Sequence, residues 1–280
     1  MLSLNTNAAA LSAQNSVGAT QKALSTSMTR LGTGYRVNSA MDDAAGLQIA
    51  TRLQAQTRGM AVAQRNTQNG ISMLQTAEGA FTEITNILLR MKDLATEARN
   101  GASNTNDKAA MDAEYQQLGT EIGNILDNTK FGGQALLNGA GSLQAGAITF
   151  QIGASAAETM DVDVEADLDA LVTDLTDTAV LGDLQDATNA ATAIGDIEGW
   201  INDVGAIRAS LGAAANRLEH VYNNLGNMKT NTEQARGRIV DVDYATETAN
   251  MTSKHMLMQA GTSMLKQSSS MSQLVMSLMQ

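Results

Sequence analysis

Two carboxylates stand side by side at Asp42 and Asp43, and adjacent acids are a simple sequence signal for metal binding or acid–base chemistry. No histidine lies near them, and they directly precede AAGLQIA, so capping a helix start is the simpler role. The stretch DVDVEADLD from Asp161 alternates acids as a calcium loop does. Its sixth position, however, is Ala166 rather than glycine, and its twelfth is Val172 rather than glutamate. Period-two alternation suits a solvated strand face instead. His220 and His255 each lack the partner four residues away that a zinc-binding helix supplies, so both are expected to be surface or packing residues. The chain has no cysteine, hence no thiol nucleophile, thiolate metal site or disulfide framework. No catalytic, cofactor-binding or metal-binding set emerges, and the expectation is a protein that is not an enzyme.

What the spacing does offer is apolar rows. In MLMQAGTSMLKQSSSMSQLVMSLMQ, Leu257, Met264, Met271 and Leu278 recur every seven residues, Met258, Leu265 and Met279 form a second row, and Lys266 is the one charged residue. A helix here carries a broad apolar face that needs a partner. Near the other end Ala10, Val17, Leu24 and Leu31 repeat the seven-residue step, with Leu4, Leu11 and Met28 close to the same face. The candidate assembly contacts are therefore Val17, Leu24, Leu31, Leu257, Met264, Met271 and Leu278.

The elements between these ends follow from period. Ile71, Leu74, Ala77, Phe81, Ile84, Leu88, Met91, Ala95 and Ala98 are spaced mostly by alternating threes and fours, as a coiled-coil seam requires. RNGASNTND breaks that helix, and Asn106 or Asp107 is placed to cap the next, whose face is Met111, Tyr115, Leu118, Ile122 and Ile125. From KFGGQALLNG onward Ile148, Phe150 and Ile152, then Met160, Val162 and Val164, alternate with polar residues and predict strands. After an acidic stretch to about Leu181, one long helix runs from Ala187 through Met228, and Asp241 or Asp243 caps a last helix.

The 280 residues contain no proline and 3% aromatics. Proline breaks helix interiors, so its absence permits very long helices, and small side chains suit slender helices side by side. The predicted fold is mainly α, with long antiparallel helices in a coiled-coil bundle from paired N- and C-terminal segments. A small β-hairpin region lies in the middle, and no large outer domain is expected. Residues 1–46 with 236–280 form a terminal coiled-coil domain, and 47–235 a helical domain with a β region at about 131–165. A terminal helix of about 40 residues is about 60 Å long at 1.5 Å per residue. Each buried Leu or Met contributes roughly 1.5 to 3 kcal/mol, and one partner helix covers only part of a two-row face, so packing between molecules is the expected completion, with an ordinary intramolecular bundle as the alternative. A net charge of -11 and a pI near 4.6 argue against nucleic acid or an anionic membrane surface as partner. No run reaches the ~18 apolar residues of a membrane span. The first lysine is Lys22, so the start lacks a basic secretory signal, and composition alone points to the cytoplasm.

RLGTGYRVNSAMDDAAGLQIATRL, Arg30 to Leu53, and DYATETANMTSKHMLMQAGTSMLKQ, Asp243 to Gln267, closely resemble bacterial flagellin. NTN at Asn5 to Asn7, QRNTQNGISMLQTAEGA from Gln64 and FQIGASAAET from Phe150 extend the resemblance over most of the chain. It implies a subunit that self-assembles into the flagellar filament for motility, with terminal helices lining the inner wall and central helices in the next shell. It also implies unfolded passage through the flagellar type III system, a dedicated chaperone on the tail, cap and hook–filament junction proteins as partners, and a secreted, extracellular location in place of the cytoplasmic one. The alternative within this resemblance is the flagellin-like junction protein. The tail departs from the family in lacking a late proline and a basic final residue. LLRMKDLATEARNG, Leu88 to Gly101, resembles the segment read by the animal flagellin receptor, with Arg90, Leu94 and Glu114 at matching positions and departures at Thr96 and Glu97. TRLGTGYRVNSAMDDAAGLQIA, Thr29 to Ala50, resembles the epitope of the plant receptor kinase, with Met41 in place of a lysine.

Overall fold

The structure, a computed structural model, describes residues 7–139, 143–176 and 181–278; the side chains of 271–278 are outside that description. Leu4, Asn5 and Met279 lie outside the described residues. In chain order the elements are α1 (Ala8–Thr33), α2 (Ala44–Ala98), α3 (Thr105–Asn128), β1 (Lys130–Phe131), β2 (Gln134–Ala135), β3 (Ile148–Gln151), β4 (Thr159–Val162), α4 (Glu165–Thr176), α5 (Ala187–Val240) and α6 (Tyr244–Leu278). This is the expected helical fold with two small antiparallel strand pairs and no large outer domain. The helices predicted from the seam at Ile71–Ala98 and the face at Ala187–Met228 are longer than their patterns, 55 and 54 residues, with no proline to interrupt them. The chain divides into two compact units, Met1–Ala55 with Thr230–Gln280, and Gln56–Lys229.

The central unit, Gln56–Lys229, holds the large core. The threes-and-fours seam of α2 is buried as predicted, Leu74, Phe81, Ile84, Leu88 and Met91 all being at most 1% exposed. It joins a cluster with Tyr115, Ile122 and Leu126 of α3, Leu168 and Leu171 of α4, and Trp200, Ile207 and Leu218 of α5. The Tyr115 hydroxyl donates to the Leu181 carbonyl at 3.0 Å, which satisfies it inside this core. Burial, with Asp196 and Asp112 adding, pushes its pKa well above the usual phenol range.

Local chemistry explains the element boundaries. Asn104, rather than Asn106 or Asp107, is the N-cap of α3: its side chain accepts from the amides of Asn106 and Asp107, and the Asp107 carboxylate accepts from the Asn104 amide. A residue three positions before an acid satisfies two orphan amides at once. The turn between β1 and β2 is Gly132 and Gly133, with φ of 61° and 89°, the pair of positive dihedrals that a two-residue hairpin requires. β3 and β4 pair Ile148 with Val162 and Phe150 with Met160, so the predicted apolar alternation lies on one face. The hairpin sits close to α2, where a Cβ at Gly70 would meet the Phe150 ring at 2.9 Å. Helix α4 begins inside the stretch expected as a strand face and runs on through the acidic segment, because Leu168, Leu171, Val172 and Leu175 form a buried helical stripe.

The terminal unit is built differently. α1 and α6 pair antiparallel, as the contacts of Asn7 with Ser268 and Ser27 with Lys254 show. Helix α1 ends at Gly34, whose φ of 77° gives a left-handed cap with its N–H on the Arg30 carbonyl. The following residues are held by Val242 N–H on the Gly34 carbonyl at 3.0 Å and Arg36 N–H on the Val240 carbonyl at 2.6 Å. Among its described residues only Leu24, Val37 and Ala50 are buried apolar groups. So small a core is far below what holds the central unit together.

Candidate assembly interface

The α1–α6 pairing is close where side chains are small and polar where they are long. A Cβ at Gly261 would lie 2.7 Å from the Val17 γ-methyl, so the helices approach through glycine at this level. One stretch along, the Lys254 ammonium donates to the Ser27 hydroxyl at 2.8 Å, and Ser27 is fully buried. Further on, Arg30 faces Glu247 at 3.8 Å, with Glu247 buried. The Arg30 Nε and one Glu247 carboxylate oxygen are buried without a hydrogen-bond partner. Desolvation offsets much of the attraction in such a pair, so it adds little stability.

The predicted apolar rows are placed as follows. Leu24 is buried, while Val17 and Leu31 are half-buried on α1. On α6 the second row, Met258 and Leu265, is half-buried, in step with the residues that touch α1. The first row points elsewhere: Leu257 is 59% exposed and Met264 66%, with Met256 beside them at 58%. Met271 and Leu278 continue that row along the helix, and their side chains lie outside the described residues. Leu11 and Met28 are likewise exposed on α1. Sequence period identified both rows but did not distinguish them, and it gave no sign of the Ser27–Lys254 and Arg30–Glu247 contacts.

The other candidates resolve into local roles. The Asp43 carboxylate accepts from the Gly46 amide at 2.8 Å and so caps α2. Asp42 accepts from the amides of Ser39 and Asn38 and from the Ser39 hydroxyl, which holds its carboxyl below the usual range. Asp243, not Asp241, caps α6: it accepts from the Thr246 hydroxyl at 2.7 Å and the Ala245 amide, which lower its pKa. Asp161 lies on the exposed strand face and Asp163 accepts from the Glu165 amide at the start of α4, so only the first half of DVDVEADLD is the expected strand edge, and Glu165 to Asp169 are helical instead. His220 and His255 are exposed. Among the described residues no three His, Cys, Asp or Glu side chains gather as a metal site.

Arg90 and Leu94 do not share a face. Arg90 is exposed and bonds Glu114 on α3 at 2.7 Å, whereas Leu94 is 3% exposed within the central core. Four residues along a helix turn about 40° past a full circle, enough at the edge of a buried seam to separate solvent from core.

A long-helix chain with a sparsely buried terminal pair and apolar side chains exposed at Leu257 and Met264 has the surface of a subunit that packs against further chains. Sequence models of the bacterial flagellin N-terminal helical region and C-terminal helical region match residues 4–142 and 194–279. The chain belongs to the bacterial flagellin family, a family of structural proteins rather than enzymes. It is 39% identical to a flagellin of Halalkalibacterium halodurans over 277 residues, which is 99% of each chain. Flagellin A of Vibrio anguillarum is 35% identical over 381 aligned positions covering all of both chains, so that relative carries residues this shorter chain lacks. Among solved structures, Bacillus cereus flagellin is 37% identical with a TM-score of 0.50, over 57% of this chain and 88% of that one. The protein is thus a flagellar filament subunit, and among the described residues no helix is long and apolar enough to cross a membrane.

Proposed function

We propose that the row Leu257, Met264, Met271 and Leu278 is the principal face through which copies of this chain meet in the filament, and that Val17, Leu24 and Leu31 serve it by holding α1 against α6. The observation that carries this reading is that Leu257 and Met264 stay 59% and 66% exposed although α1 already lies along the helix. Covering each such side chain with a neighbour contributes roughly 1.5 to 3 kcal/mol. Residues 1–46 with 236–280 form the inner wall, and 47–235 form the shell around it. The 39% identity to a flagellin over 99% of both chains favours the bulk filament over the hook–filament junction protein.

The same exposed row gives a chaperone something to shield before export. A chain with no disulfides and a terminal unit of few buried apolar groups suits unfolded passage through the type III channel to an extracellular filament with its cap and junction proteins. A host receptor reading the α2–α3 surface meets the exposed Arg90–Glu114 pair, while Leu94 acts from beneath it.

The test is the double substitution Leu257→Ser, Met264→Ser. Both residues are exposed in the single chain, so its helicity by circular dichroism should be unchanged while seeded sedimentation loses the polymer. Normal polymer yield from this variant would remove the row from the interface.

A further inference from the structure

The chain carries 16 methionines against three phenylalanines, and their burial is divided. Met60, Met91 and Met160 are at most 3% exposed inside the central unit. Met256 and Met264, by contrast, are 58% and 66% exposed on the face of α6 that α1 leaves uncovered, and Met41 is 97% exposed in the bend before α2. A thioether is an apolar group whose sulfur lone pair also attacks peroxides, and access governs its rate. No cysteine is present to react first.

We propose that Met256 and Met264 are oxidation sites of the unassembled subunit, and that their conversion to sulfoxides by hydrogen peroxide excludes the subunit from the polymer. In the step, the sulfur lone pair bonds to one peroxide oxygen and the O–O bond breaks. The sulfur is oxidised by two electrons, the peroxide is reduced, and the second oxygen leaves with both protons as water. The product is a polar, chiral sulfoxide in place of an apolar thioether. On a monomer this costs nothing in packing, because both groups already face solvent. In an interface the S–O dipole is stripped of water without an assigned donor, and burying an unpaired polar group opposes association. Oxidation therefore acts at assembly and leaves the fold of the single chain alone. The choice of Met over Leu at these positions makes the uncovered face of α6 sensitive to oxidants, since Leu supplies a similar volume with no reactive sulfur.

The consequence for assembly rests on the interface proposed above, and the experiment separates the two. Monomers are treated with hydrogen peroxide to partial conversion, seeded and sedimented, and sulfoxide at each methionine is mapped by peptide mass spectrometry in pellet and supernatant. Sulfoxide at Met256 and Met264 should be enriched in the supernatant by at least about tenfold, equivalent to about 1.4 kcal/mol. Sulfoxide at Met41 should divide evenly, and Met60, Met91 and Met160 should remain unmodified. The variant Met256→Leu, Met264→Leu should keep more of its polymer yield under peroxide than the unsubstituted chain, Met271 of the same row being present in both. Even partition of the Met256 and Met264 sulfoxides, or protection of these residues to the level of Met60, would overturn the proposal while leaving the filament reading standing. Failure of untreated protein to pellet would overturn the interface reading and this inference with it.

Discussion

Two glycines on the paired terminal helices make opposite predictions for the same substitution. Gly18 of α1 has nothing within 4 Å of where a Cβ would stand, whereas at Gly261 of α6 the Cβ would lie 2.7 Å from the Val17 γ-methyl. Each Gly→Ala change gains about 0.8 to 1 kcal/mol of intrinsic helix stability. At Gly18 that gain is complete. At Gly261 valine cannot turn aside freely, because its χ1 has one strongly preferred well in a helix. The helices must move apart, at an overpacking cost of about 1 to 3 kcal/mol. Gly18→Ala should therefore stabilise the pair, and Gly261→Ala should range from neutral to destabilising by about 2 kcal/mol, the sum of those two effects. The assay is amide hydrogen exchange over residues 8–33 and 244–270 in a verified monomer, where local opening sets the rate. Gly18→Ala should slow exchange by up to about fivefold, and Gly261→Ala should leave it equal or faster. Adding Val17→Ala should turn Gly261→Ala into a stabilising change, a coupling that a double-mutant cycle isolates. Equal slowing by both single substitutions would refute the close approach of α1 and α6 at this level.

Glu247→Ala leaves Arg30 facing a buried space, and thermal melts of the terminal helices should report a loss of about 1 to 3 kcal/mol, more than Glu247→Gln. Asp243 has a lowered pKa from its hydrogen bonds to Thr246 and Ala245, so its stabilisation is full above the usual value of 3.8 and is lost as the pH falls through the lower folded value. Exchange at the start of α6 should quicken in that acid range, and Asp243→Asn should flatten the dependence. Leu94→Ala should cost about 2 to 5 kcal/mol in the central unit, whereas Arg90→Ala should stay within about 0.5 kcal/mol. If a flagellin receptor ectodomain binds this chain, calorimetry should assign the direct loss to Arg90→Ala and attribute any Leu94 effect to unfolding.

Periodicity determined much of this molecule without tertiary help. The alternating threes and fours from Ile71 to Ala98 bury one side of a helix whatever lies opposite, and period-two alternation at Ile148–Ile152 and Met160–Val164 sends one face inward. The caps at Asp43 and Asp243 were legible because a carboxylate meets amides two or three residues along its own chain. The stripe Leu168, Leu171, Val172 and Leu175 of α4 was present in the sequence too, hidden by acids that read equally well as a strand. Other features depended on partners distant in sequence. The tail offers two apolar rows of equal period, and only the approach of α1 through Gly261 decides that Met258 and Leu265 turn toward it while Leu257 and Met264 face outward. The Ser27–Lys254 and Arg30–Glu247 contacts join residues more than 200 positions apart. Leu94 parts from Arg90 because α3, α4 and α5 build a core on one edge of α2 and leave the other to solvent. Local hydrogen bonds and repeat lengths are properties of a segment, whereas the choice between equivalent faces is made by the surface that arrives against them.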